Sequence, residues 1–145
     1  MKKSDVTKIY ITTDGFFTNR SDIKKKRVVA VVEQRKSDGA IAIVKVYSKD
    51  GKEAKIGKTF IPGLVLQPAE HPALTEESIV GRKVHFGVKK QDKTYSPIYP
   101  SDLIPTDDKL SPIELQQVRR EVHNDTNQHR KTYKTTRKKW YGHFK

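Results

Sequence analysis

The chain contains no cysteine. Disulfide cross-links and thiolate nucleophiles are therefore excluded, and the absence suits a reducing compartment. One tryptophan and one methionine occur in 145 residues. No stretch approaches the ~20 apolar residues that span a bilayer as a helix. The first ten residues, MKKSDVTKIY, have two lysines like the start of a secretory leader but no apolar run behind them. A soluble cytoplasmic protein is expected. Metal and nucleotide chemistry are also poorly supplied. His71, His85, His123, His129 and His143 lack both cysteine partners and the HExxH spacing. The paired acids Glu76-Glu77 and Asp107-Asp108 lie in loop-like segments, and no Walker A, GxGxxG or GxSxG motif is present. The reading calls for no cofactor and no metal.

Acidic residues are the remaining shortage. Seventeen Asp and Glu face thirty Lys and Arg, leaving a formal charge of +13. Such a surplus favours a polyanionic partner: nucleic acid first, with an acidic protein or an anionic membrane behind it. The length suits one domain with a modest core and a basic appendage.

Lys24 to Ser48 reads as a β-hairpin with a basic cluster at its open end. Val28–Val32 and Ala40–Val46 are β-branched and apolar, and Asp38-Gly39 is a turn signal between them. A four-residue loop at Lys36–Gly39 predicts that Arg27 stands opposite Ser48 on one face, about 5 Å apart at Cβ. A two-residue turn shifts the pairing by two and keeps that face. Arg27 and Ser48 would then meet beside Lys24, Lys25 and Lys26, with Arg20, Lys45 and Lys49 within reach, as a grip for a phosphate. The competing reading of these cations is a solvated loop.

Further strands are expected at Val6–Thr13, at Lys58–Leu66 and at Ile79–Val88. Pro62-Gly63 marks the second as an edge strand or bend, and Val84, Phe86 and Val88 would share one face of the third. A short helical turn is expected at Leu74–Ser78. Six or so short strands with Gly and Pro turns suggest a small, strongly bent barrel. Ser111-Pro112-Ile113-Glu114 is a capping box with proline at the first helical position. Leu115, Val118 and Val122 then give a narrow apolar stripe for docking. The domain is placed at residues 1–122, closed by a helix at 111–122. Residues 123–145 form an extension in which Arg130, Lys131, Lys134, Arg137, Lys138 and Lys139 alternate with aromatics including Trp140. Cations can neutralise phosphates and aromatics can stack on unpaired bases. Trp140 and Phe144 would also share a helical face and could pack on the body instead.

At these residues the chain resembles the MazF/PemK family of toxins. KKKRVVAVV at Lys24–Val32 is similar to the family's basic loop leading into an arginine and a run of valines. AIAIVKVYS at Ala40–Ser48 resembles its next strand, which ends in a hydroxyl residue. LTEESIV at Leu74–Val80 and SDLIPTDDKLSPIELQQVRREV at Ser101–Val122 resemble later segments, in the same order. The resemblance implies an α+β, mostly β fold: an SH3-like barrel with short helices, usually a homodimer. It implies metal-independent cleavage of single-stranded RNA by 2′-hydroxyl attack, and neutralisation by an acidic antitoxin. Arg27 matches the catalytic arginine and Ser48 the catalytic hydroxyl. The chain departs where Val28 replaces the family's proline, and where serine replaces the usual threonine. Three functions stay open: an endoribonuclease, a non-catalytic nucleic-acid-binding barrel, and an interaction protein with an acidic partner.

Overall fold

The computed structural model describes residues 7–17, 26–50, 60–89 and 94–123. The candidate residues Arg20, Lys24, Lys25, Arg130, Lys131, Lys134, Arg137, Lys138, Lys139 and Trp140 lie outside them. Among the described residues eight strands form: β1 (Lys8–Ile11), β2 (Val28–Gln34), β3 (Ile41–Ser48), β4 (Phe60–Leu66), β5 (Ser78–Gly81), β6 (Gly87–Lys89), β7 (Tyr95–Pro97) and β8 (Ile104–Lys109). One α-helix, α1 (Pro112–His123), follows β8. Six strands make an antiparallel sheet in the order β4-β5-β3-β2-β1-β8, and β6 with β7 makes a separate two-stranded ribbon. The fold is thus α+β and mostly β. No helix among the described residues is long and apolar enough to cross a membrane.

β2 and β3 are apolar at nearly every position because both faces of the sheet are covered there. On one face, Ala30, Val32, Ala42, Val44 and Val46 join Ile61, Leu66 and Val80 beneath Leu115, Val118 and Val122 of α1. On the other, Val29, Val31, Ile41 and Ile43 pack with Phe17, Val88, Ile98 and Leu103. The ribbon is tied to β3 by the isolated bridges Ile41↔Ile98 and Ile43↔His85. Val84 belongs to the helix-side core and Val88 to the ribbon-side core, so the single face expected for them is divided. The chain turns through Arg82–Phe86 between β5 and β6 and loses the alternation there.

The hairpin turn has the expected length. The Arg35 amide donates to the Ala40 carbonyl at 2.6 Å across Lys36–Gly39. Gly39 has φ +84°, a left-handed conformation that side chains disfavour. Asp38 accepts two bonds from the Arg35 guanidinium, at 2.8 and 2.7 Å, and one from the Tyr99 hydroxyl at 3.0 Å. The forked Arg35 bond holds the Asp38 carboxyl well below the usual carboxylate range. Pro62-Gly63 falls in edge strand β4, where Gly63 has φ +74° and the pairing with β5 is irregular. No helical turn forms at Leu74–Ser78; that segment runs through bends into β5.

The capping box of α1 is formed. The Glu114 amide donates to Ser111 Oγ at 3.1 Å, and the Ser111 amide donates to Glu114 Oε1 at 2.8 Å. Leu115, Val118 and Val122 are buried and Ile113 is exposed. Ser111→Ala should lower the unfolding free energy by about 1 kcal/mol, read as a fall in the urea midpoint at constant slope. An unchanged midpoint would contradict that role for the cap.

Candidate nucleic-acid interface

The register of β2 on β3 decides which side chains meet at the open end of the hairpin. Near the turn the pairs are Gln34↔Ile41 and Glu33↔Ala42, as a four-residue loop requires. A bulge then intervenes: Val31 pairs with Ile43, and the shifted ladder runs to Val28↔Val46. One extra residue changes the parity of everything beyond it. Arg27 therefore stands level with Tyr47, and its guanidinium carbon lies 4.9 Å from the Tyr47 ring centroid. Ser48 falls on the opposite face of the sheet, in line with Val46 and Val44. The expected meeting of Arg27 and Ser48 is not formed. The turn length was read correctly; the bulge has no signal in the turn.

The bulge has a visible anchor. Arg119 of α1 donates from Nε at 2.9 Å and Nη2 at 2.8 Å to the Val32 carbonyl. Its Nε also lies 3.6 Å from the buried Glu33 carboxylate. Arg27 is fixed at the backbone by Thr12, a fully buried residue just beyond β1. Thr12 N–H donates to the Arg27 carbonyl at 2.8 Å, and Arg27 N–H donates to Thr12 Oγ1 at 2.7 Å.

Lys45 shares the face of Arg27 and Tyr47. It is buried, with Nζ 4.2 Å from the centroid of Phe17. Phe17 in turn meets Phe16 edge-on at 5.1 Å and His85 at 5.2 Å. His85 is held by reciprocal backbone bonds with Ile43 at 2.8 and 2.9 Å, and so sits against this aromatic group. Phe60 of β4 meets Tyr47 edge-on at 5.4 Å. Arg27 and Lys45 are thus each placed over an aromatic ring, an arrangement that is favourable electrostatically.

Lys26 and Lys49 are exposed. Lys49 faces Glu77, with Nζ 3.5 Å from its carboxylate, and its amide donates to the Glu77 carbonyl. Ser48 donates to the Glu76 carboxylate. Glu76 and Glu77, within the segment where a short helical turn is expected, instead hold the end of β3. The described residues bring Arg27 and Lys45 together on one face and set Ser48 and Lys49 apart with acidic partners. Phe17, Tyr47 and Phe60 were not singled out in the sequence. For Tyr47 the signal was present, since Lys45 and Tyr47 alternate along β3.

Comparison of the chain with family models, curated proteins and solved structures found no match.

Proposed function

We propose that this protein binds nucleic acid through the sheet end that carries Arg27. The supporting observation is Arg27 placed over the Tyr47 ring at the sheet end, in a chain with a surplus of thirteen positive charges. A guanidinium stacked on a ring is preorganised, and its forked edge matches a phosphate. Lys26 beside it adds an exposed cation. Fluorescence polarisation with labelled RNA and DNA oligonucleotides, across a salt series, tests this. Affinity should fall steeply with salt, and Arg27→Ala should weaken binding and flatten the slope by about one counterion. Absence of binding at about 50 mM salt would refute it and favour a protein partner.

A second reading is a metal-independent endoribonuclease of the MazF/PemK kind, with the sheet bent into an SH3-like barrel, a homodimeric assembly and an acidic antitoxin. It draws support from α1, which starts at the Ser111 capping box within the segment carrying the resemblance. In that reading Arg27 acts on the phosphate without Ser48 beside it. Incubation with defined RNA in EDTA should yield cyclic phosphate ends, and Arg27→Ala should abolish them. Cleavage that requires added Mg²⁺ would eliminate the reading.

A further inference from the structure

We infer that Tyr47, Phe60 and Gly81, with the Arg27 guanidinium over the Tyr47 ring, form a base-stacking platform for single-stranded nucleic acid; this rests on the nucleic-acid reading above. The sheet register places the platform. Tyr47 pairs with Ile79, Ile79 with Val65, and Phe60 with Gly81. Directly opposed residues share a face, and so do residues two apart on one strand. Tyr47, Phe60, Val65 and Ile79 therefore lie together across β3, β5 and β4, and all four are half-buried. Further along β3 on the same face, Ile41 and Ile43 are closed off in the ribbon-side core. Tyr47 and Phe60, by contrast, are only half-buried.

Gly81 explains how Tyr47 lies there. A Cβ on Gly81 would come within 3.3 Å of Tyr47 Cε2 and 3.5 Å of the Lys45 carbonyl. Its backbone is not in the left-handed region, so conformational freedom is not what glycine supplies here. It supplies room. The Tyr47 ring settles against β5, braced edge-on by Phe60 and with the Arg27 guanidinium over it.

The charge selects the occupant. A half-buried aromatic surface with a guanidinium over it, in a chain of charge +13, is complementary to a ligand that joins flat π-surfaces to a polyanionic backbone. Bases of a duplex are hidden in their own stack, so the ligand is single-stranded. RNA and DNA share this chemistry, and both are arms of the test.

The full chain should be titrated into fluorescein-labelled single-stranded RNA, single-stranded DNA and a duplex of equal length. Phe60→Leu should weaken single-strand binding by about fivefold to a hundredfold and leave duplex binding unaltered, and Tyr47→Leu, which also removes the ring beneath Arg27, should weaken single-strand binding several-fold more than duplex binding. Tyr47→Phe should restore most of what Tyr47→Leu loses, and Gly81→Ala should fall between them. Should the leucine variants fail to fold, photo-crosslinking of a 5-bromouridine oligonucleotide to the native chain should label Tyr47 or Phe60. Equal losses for single strand and duplex would overturn the platform. So would unchanged single-strand affinity in both leucine variants, a change in oligomeric state without one in affinity, or crosslinks confined to other segments. No binding of any oligonucleotide by the native chain would instead overturn the nucleic-acid reading itself.

Discussion

Replacing His71 with leucine should lower the unfolding free energy by about 3 kcal/mol, and by up to roughly 5 kcal/mol. His71 is buried in the loop after β4, yet it joins three parts of the chain. Nδ1–H donates to Asp108 of β8 at 2.9 Å, and Nε2–H donates to the Glu114 carboxylate of α1 at 3.0 and 3.1 Å. Only the imidazolium can donate from both nitrogens. The Asp108 side chain, 5 % exposed, also accepts from the amides of Ala73 and Lys109. Those amides remain in the variant and place the expected cost near the lower figure. Glu114 completes the capping box as well, so His71 links the start of α1 to the sheet.

The pH dependence has a definite sign. Burial alone would lower the His71 pKa, but the hydrogen bonds and charges of Asp108 and Glu114 outweigh it and raise the value above 6.5. A raised folded value means that the protonated ring stabilises the fold fully below the ordinary histidine value. That contribution disappears as pH rises through the folded value. The stability gap between native protein and His71→Leu should therefore narrow as pH rises above the ordinary histidine value and through the raised folded one. Urea unfolding at several pH values checks both statements; a gap constant with pH would rule out the charged clasp.

Arg119→Met should cost roughly 2–3 kcal/mol, the second largest expected effect. The substitution keeps much of the aliphatic stem and removes both donors to the Val32 carbonyl. It also takes the guanidinium away from Glu33, whose side chain is only 6 % exposed. Arg119 is itself 36 % exposed, and its 3.6 Å approach to Glu33 is long, so the full cost of breaking a buried pair does not apply. The losses of the Arg119→Met, Glu33→Leu double variant should fall short of the sum of the single ones, because each substitution removes one side of the same contact. Strictly additive losses would show that the two side chains do not interact.

Much of this architecture was legible where local chemistry is self-contained. Ser111 to Glu114 carries its own cap, Asp38-Gly39 its own turn, and Pro62-Gly63 its own edge position. Leu115, Val118 and Val122 announced the docking face. The site was legible only in part. Arg27 was identifiable as a cation at a strand end, but its neighbour depended on a bulge with no local signature. Val28–Val32 reads VVAVV, symmetrical about Ala30 and apolar on both faces. Shifting it by one exchanges valines for valines, so hydrophobic patterning does not discriminate between the two registers. Likewise nothing near His71 foretold its partners, which lie 37 and 43 positions away.

The anchoring of the bulge bears on the order of folding. The turn at Lys36–Gly39 can close by itself, and two adjacent strands joined by it form a contact of low sequence separation. The Arg119 bond to Val32 spans 87 positions. During synthesis the hairpin emerges long before that guanidinium exists, and long-range contacts are in general the slow ones to form. A nascent β2 therefore meets β3 with two pairings of similar apolar burial open to it, one placing Arg27 with Ser48 and one placing it with Tyr47. The contact that Arg119 makes at the bulge is among the last the chain can complete, since it comes from a helix at the far end of the described chain.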